Sequence, residues 1–156
     1  MKLFELNYDG VRKNKKYEDL IDKTLTKCFE VEKLLDKNLY ANVVLTTPDN
    51  IHKMNKEYRK IDKSTDVLSF PMFERGEVKK YKSSGFPELL GDIVINVEQV
   101  KKQAVEYENT FEREFCYMIV HSFYHLMGED HMIEEEKKHM RKKEENVLNL
   151  LGITRK

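Results

Sequence analysis

The stretch 115–127 constrains the fold more than any other part of the chain. Read as a helix, it is apolar on every side except at His121, Ser122 and His125. A helix of this character is stable only when other elements surround it. The helix is expected to begin near Thr110, and Glu112 and Glu114 suit the positive end of its dipole. The sequence therefore predicts a buried helix at the centre of the protein.

The two histidines of this helix belong to the pattern His-x-x-x-His-x-x-Gly-x-x-His, formed by His121, His125, Gly128 and His131. Residues four apart lie one above the other on a helix, so the first two imidazoles can bind one metal ion. Gly128 can adopt the left-handed conformation that ends a helix, after which His131 can supply a third imidazole. Three imidazoles with a fourth position open to water are typical of catalytic zinc. We therefore expect one Zn²⁺ per chain, bound by His121, His125 and His131.

One residue separates this pattern from the similar motif of metal-dependent peptidases. Those enzymes carry Glu directly after the first His, where it acts as the general base. This chain has Ser122 there, which cannot do the same near neutral pH. The pattern therefore favours hydrolysis of a bond other than a peptide bond, by water that the metal activates.

Length and charge set broader limits. The chain has 156 residues, which predicts one domain spanning 1–156 with a sizeable core. Its 28 basic and 28 acidic residues cancel, which argues against a protein that coats nucleic acid through bulk charge. A local basic cluster remains compatible with this balance, formed by Lys53, Lys56, Arg59, Lys60 and Lys63.

The periodicity of apolar residues predicts an α+β fold. Strands are expected at 3–8, 42–46, 65–71 and 92–96, and a long surface loop at 72–90. Helices are expected from Tyr17 onward, after Thr47-Pro48, at 97–108 after an Asn96 cap, from Thr110, and at the C-terminal end. We expect a small mixed β-sheet packed against helices, with the central buried helix carrying the metal motif.

The expected compartment depends on whether the sequence contains a signal peptide or a membrane-spanning stretch. The segment 1–9 is acidic too early, and its apolar run is too short, for a signal peptide. The longest uncharged stretch, 115–128, is too short to span a bilayer. We expect a cytoplasmic protein with no membrane partner, in which Cys28 and Cys116 are core thiols rather than a disulfide.

Three blocks in order resemble the YbeY family, the bacterial metal-dependent endoribonucleases of ribosomal RNA maturation. The strongest block is 121–131. The second contains Asn55, Tyr58 and Arg59, followed by 65–71, and the third is 91–96 followed by Gln103-Ala104. The resemblance implies a zinc-bound cytoplasmic enzyme specific for single-stranded RNA. It also implies a role in 3′-end maturation of 16S rRNA on the small ribosomal subunit and in ribosome quality control, with no DNA substrate.

Arg59 is the best candidate for a catalytic group besides the metal. Its guanidinium can bind phosphate oxygens in a bidentate manner and stabilise charge in the transition state. Asp130 is a candidate for orienting a ligand histidine, although a turn role is also open. The charged run 134–145 is interpreted as a solvated helix face.

The chain departs from the family signature at three positions. Ser122 stands where Gly is usual, Tyr124 where Leu is usual, and Glu129 where Tyr is usual. None of these removes a metal ligand, but Glu129 adds negative charge beside a site that should receive phosphate. Two other functions stay open at this point: a metallopeptidase-like hydrolase of unknown substrate, and a ribosome-associated binding factor with a structural zinc.

Overall fold

The computed structural model describes residues 2–129 and 133–153, and over these residues the fold is α+β, as the sequence predicts. The elements in chain order are β1 Phe4–Asp9, α1 Lys15–Val31, β2 Leu39–Thr46, α2 Pro48–Arg59, β3 Val67–Pro71, α3 Glu77–Lys80, β4 Glu88–Asn96, α4 Val97–Glu106, α5 Phe111–Leu126 and α6 Glu134–Leu150. Within this described part of the chain, no helix has both the length and the apolar composition that a membrane crossing requires.

The four strands form one mixed sheet in the order β1-β2-β4-β3, which confirms the predicted mixed sheet. β1, β2 and β4 are parallel, and β3 runs antiparallel to β4 at the edge. Alternate residues of each strand point to opposite faces. One face, with Val43 and Ile93, joins the main core together with α1 and α5. The other face, with Val44 and Val94, packs against Ile51 of α2. Helices α2 and α5 therefore lie on opposite sides of the sheet.

Three predicted helix starts are confirmed by their caps. The hydroxyl of Thr47 accepts a hydrogen bond from the backbone N–H of Asn50 at 3.3 Å, next to Pro48 in the first turn of α2. Asn96 caps α4 in the same way, and Thr110 caps α5. These caps satisfy backbone donors that the helix cannot pair internally. Local sequence therefore defines where these helices begin.

The expected surface loop 72–90 is more ordered than its composition indicates. It contains the short helix α3, whose Val78 is buried, and its last three residues already belong to β4. The ammonium group of Lys37 donates to three carbonyls at the end of α3, those of Val78, Lys79 and Tyr81. β4 starts earlier than predicted, and the register shift between Tyr40 and Ala41 of β2 leaves Leu90 as an extra residue in β4.

Helix α5 lies in the centre of the main core, as its apolar composition predicts. Residues from three of its sides are buried, among them Met118, Phe115 and Val120. Cys28 and Cys116 are buried free thiols, which confirms their interpretation as core residues. Burial raises the pKa of both thiols, so they stay protonated at neutral pH.

Helix α5 packs closely against the sheet at Gly91 of β4. A Cβ atom added to Gly91 would lie 2.6 Å from Cδ2 of Leu126 and 2.6 Å from the carbonyl oxygen of Phe70. Only a residue without a side chain leaves room for both neighbours. Gly91 therefore sets how near the motif helix lies to β3 and β4.

We expect Gly91→Ala to lower the free energy of unfolding by about 1–3 kcal/mol, because the added methyl group overpacks this contact. Urea unfolding followed by circular dichroism measures the change. Ser84→Ala, on the exposed loop that leads into β4, is the control and should be close to neutral. Equal stability of the two variants would contradict the close packing of α5 on Gly91.

Candidate metal centre

His121 and His125 lie on one side of α5, one turn apart, and their rings converge. The two Nε2 atoms are 3.1 Å apart, and the ring centroids are 4.6 Å apart at an interplanar angle of 85°. Two imidazoles bound to one tetrahedral zinc at about 2.0–2.1 Å would hold their nitrogens about 3.3 Å apart. The two rings are therefore arranged as neighbouring ligands of one ion.

The third predicted ligand, His131, lies outside the described residues, and so does Asp130. Within residues 2–129 and 133–153, no group of three His, Cys, Asp or Glu side chains is placed to hold a metal. The structure thus brings together the two predicted ligands that it describes.

A buried carboxylate holds the outer nitrogen of the first histidine. Oε2 of Glu144 on α6 lies 2.5 Å from Nδ1 of His121. The Glu144 side chain is only 5% exposed. If Nδ1 carries the proton and donates it to Glu144, the lone pair of His121 Nε2 points toward His125. This is the arrangement in which an outer carboxylate orients a histidine ligand.

The prediction of a solvated face for the run 134–145 is wrong at Glu144. Most of this run is exposed, but Glu144 follows buried Met140 by four residues and precedes buried Val147 by three. Glu144 therefore belongs to the apolar stripe of α6 that faces α5. In the sequence, Glu144 is a carboxylate at a position where the helical repeat of α6 predicts an apolar residue. The charged residues around it obscure this signal.

The polar side of α5 continues from the histidines toward the start of the helix. Arg113, Tyr117, His121 and His125 follow one another at intervals of four residues. The guanidinium carbon of Arg113 lies 6.0 Å from the centroid of the Tyr117 ring, and that ring lies 5.7 Å from the ring of His121. Sequence analysis did not select Arg113 or Tyr117, although their spacing continues that of the two histidines.

Each departure from the family signature has a partner in the structure. Ser122 is fully buried, and its hydroxyl lies 2.5 Å from that of Ser69 on β3. The buried Tyr124 donates to Oε2 of Glu32 at 3.0 Å. Burial and the Glu32 carboxylate raise the pKa of Tyr124, so its phenol stays neutral.

The negative charge of Glu129 is likewise compensated. Its Oε1 lies 2.6 Å from the ammonium group of Lys143 on α6. That ammonium group also lies 5.7 Å from the centroid of the Tyr124 ring. The carboxylate of Glu129, which is unfavourable for phosphate, is therefore neutralised by an ion pair with Lys143.

The loop between β3 and β4 crosses directly beside the turn that ends α5. Gly128 has φ 91°, as predicted for a residue that ends the helix. A Cβ atom at Gly128 would lie 2.6 Å from Cα of Arg75. The side chain of Arg75 reaches Glu136 in the first turn of α6 at 3.1 Å. Glycine is thus required at position 128 both by the backbone conformation and by the close approach of the segment that contains Arg75.

Arg59 lies apart from the histidines. It is the last residue of α2, on the other side of the sheet from α5, and its side chain is exposed. The guanidinium forms no hydrogen bond or ion pair with any residue that the structure describes. The residue before Arg59, Tyr58, contacts Phe70 of the edge strand β3. The preceding residue of that strand, Ser69, is hydrogen-bonded to Ser122 of α5. Only β3 therefore separates the end of α2 from the motif helix.

Comparison with known proteins agrees with this arrangement. The family model for endoribonuclease YbeY matches residues 5–152. The endoribonuclease YbeY of Clostridioides difficile (strain 630) is 42% identical over 145 residues, covering 88% of this chain and 90% of that protein. That of Shouchella clausii (strain KSM-K16) is 40% identical over 154 residues, covering 97% and 96%.

A solved structure shares the fold. The solution structure of TM1509 from Thermotoga maritima superposes with a TM-score of 0.59 at 27% sequence identity, covering 95% of this chain and 92% of that one. The family match spans the histidine pair, the Arg59 block and the strand that carries Gly91. On the match over residues 5–152 and on the identity with these relatives, the chain belongs to the YbeY family.

Proposed function

We propose that this chain is a zinc-dependent endoribonuclease that cleaves single-stranded RNA, acting in 3′-end maturation of 16S rRNA and in late ribosome quality control in the cytoplasm. The observation that carries the proposal is the convergence of His121 and His125, whose Nε2 atoms are 3.1 Å apart beside the buried carboxylate of Glu144. The curated relatives carry the name endoribonuclease, and their similarity supports the class of substrate.

The chemistry of the donor set fits zinc. Imidazole nitrogens are ligands that zinc prefers, and Glu144 supplies the outer hydrogen bond that such ligands usually have. His121, His125 and His131 would hold the ion. When bound, zinc supplies a water that is acidic enough to act as a nucleophile near neutral pH, together with positive charge beside the phosphoryl oxygens.

The protein's own side chains perform the remaining tasks. Glu144 accepts a hydrogen bond from Nδ1–H of His121 and so keeps the Nε2 lone pair directed at the site. The ring of Tyr117 packs against the ring of His121 and limits its rotation. Arg59 is assigned to the phosphate oxygens, where a bidentate guanidinium can stabilise the charge that develops during cleavage.

Ser122 argues against a peptidase. At the position where a peptidase would carry its glutamate base, the Ser122 side chain is fully buried and hydrogen-bonded to Ser69. A hydroxyl engaged in this way cannot accept a proton from water near neutral pH. Position 122 in the core therefore accommodates a small polar side chain and not a solvent-exposed general base.

The proposal is tested by incubating the purified zinc-loaded protein with single-stranded RNA, duplex RNA, single-stranded DNA and an unstructured peptide. Cleavage of single-stranded RNA alone is expected, and it should be lost in His125→Ala. Hydrolysis of the peptide that depends on His125 would instead identify a peptidase. A His125→Ala protein that no longer folds would point to a structural zinc.

We expect Glu144→Gln to weaken zinc binding by about 10- to 100-fold, because the outer carboxylate no longer orients His121. Competition with a chromogenic chelator measures the affinity, and circular dichroism checks the fold. Glu135→Gln, an exposed residue in the first turn of α6, is the matched control and should bind zinc as the wild type does. Unchanged affinity in folded Glu144→Gln would remove its role in orienting the ligand.

We expect Arg59→Ala to lower the rate of RNA cleavage by about 100-fold, the effect of removing one donor that stabilises a transition state. Its zinc content should equal that of the wild type, because Arg59 contacts neither histidine. Lys56→Ala removes another exposed cation of α2 and should have a much smaller effect. Loss of zinc, or equal rates in the two variants, would show that the role assigned to Arg59 is wrong.

A further inference from the structure

A groove of about 960 Å³ runs along the polar side of α5 and ends at His121. Tyr107 and Glu108 lie at its outer end, in the turn between α4 and α5, and Asp66 lines it from the segment before β3. Its inner part is formed by Tyr117, whose ring packs on that of His121. From Arg113 to His121 the groove follows α5 for about 12 Å, two helical turns and enough for a nucleobase with its sugar.

The charge of the groove excludes phosphate. Three carboxylates line it, those of Asp66, Glu108 and Glu114, against the one guanidinium of Arg113. That guanidinium already pairs with Glu145 at 3.4 Å. A phosphate entering the groove would meet a net negative lining, which repels it. The backbone of a bound RNA strand therefore runs outside the groove.

The amide and guanidinium groups of the groove already donate hydrogen bonds within the protein. The amide of Gln103 donates to Oδ2 of Asp66 at 3.1 Å, and the amide of Asn109 donates to Oε1 of Glu114 at 3.2 Å. Arg113 also donates to the carbonyl of Ile153 at 3.2 Å. Asp66 and Glu114 accept these amide bonds, so the most accessible acceptor that the groove offers to a ligand is the exposed carboxylate of Glu108, which can only accept when it is ionised.

Aromatic surface lies beside these acceptors. The Tyr107 side chain is exposed, 57% of its surface being accessible, and makes no hydrogen bond or ring contact within the described residues. Proteins bind single-stranded RNA by stacking its unpaired bases on such rings and by hydrogen bonds to the base edges. Adenine, cytosine and guanine present an exocyclic amino group on that edge, which carboxylates accept well, whereas uracil presents one N–H between two carbonyl oxygens.

We infer that this groove binds a nucleobase of the RNA strand next to the phosphodiester at the histidines, and that it selects bases that carry an amino group, such as adenine and cytosine, over uracil. The base stacks on Tyr107 and donates its amino group to the carboxylates, of which Glu108 is the most accessible at the groove mouth. This inference rests on the proposed nuclease function and adds a base preference to it.

The test uses short single-stranded oligomers of adenylate, cytidylate and uridylate. Their binding to the full-length protein is measured by fluorescence anisotropy in EDTA, where cleavage is blocked, and their cleavage rates are measured with zinc. We expect adenylate and cytidylate to bind and to be cleaved about tenfold better than uridylate. Glu108→Gln should reduce this ratio toward one, because an amide can also donate to the carbonyls of uracil.

Matched variants separate the groove from the rest of the surface. Glu106→Gln makes the same charge change two residues away, outside the groove, and should keep the wild-type ratio. Tyr107→Ala should weaken binding of all three oligomers, and Tyr107→Phe should restore it because the ring is kept.

Equal cleavage of the three oligomers, unaffected by Glu108→Gln, would overturn the base groove and leave the nuclease function intact. Failure to cleave any oligomer would overturn the nuclease function itself, and the base groove with it.

Discussion

Helix α5 has to bury apolar side chains on three of its sides while its fourth side stays polar, and the site depends on that division. The buried sides fix the rotation of the helix against the sheet, and Gly91 allows close packing between them. With the rotation locked, the polar side can face only one way. Tyr117, His121 and His125 then contact one another in sequence along that side. The convergence of the two imidazoles is therefore a result of core packing as much as of their spacing.

Buried polar groups around the site all draw partners from distant parts of the chain. Glu144 pairs with His121, Ser122 with Ser69, and Tyr124 with Glu32. A buried polar or charged group without such a partner would cost several kcal/mol, so these pairings also fix how α6, β3 and α1 are placed around α5. In the same way, Lys143 allows this chain to carry Glu129 beside the site.

The surface around α2 and the groove along α5 have opposite electrostatic character. Exposed lysines and Arg59 lie on and just after α2, whereas the groove along α5 is lined by carboxylates. For an RNA strand this division separates the two parts of a nucleotide, since phosphate is attracted by cations and base amino groups by carboxylates. The neutral net charge of the whole chain conceals this local separation.

Much of the fold could be predicted because its signals are local. The caps at Thr47, Asn96 and Thr110 depend on bonds within four residues, and the histidine pair depends on one helical turn. The short helix α3 could not be predicted in this way, because its buried Val78 and its bonds to Lys37 come from packing against a segment about forty residues earlier.

Spacing along the chain was sufficient to predict the α+β class, the buried motif helix, the convergence of His121 and His125 and the turn at Gly128, because helical periodicity and backbone conformation act over a few residues. The burial of Glu144, the partners of the unusual residues at 122, 124 and 129, and the carboxylate-lined groove depended on how distant elements pack. Which of the many glutamates of α6 faces His121 is decided by the contact between two helices, and a linear sequence does not contain that contact.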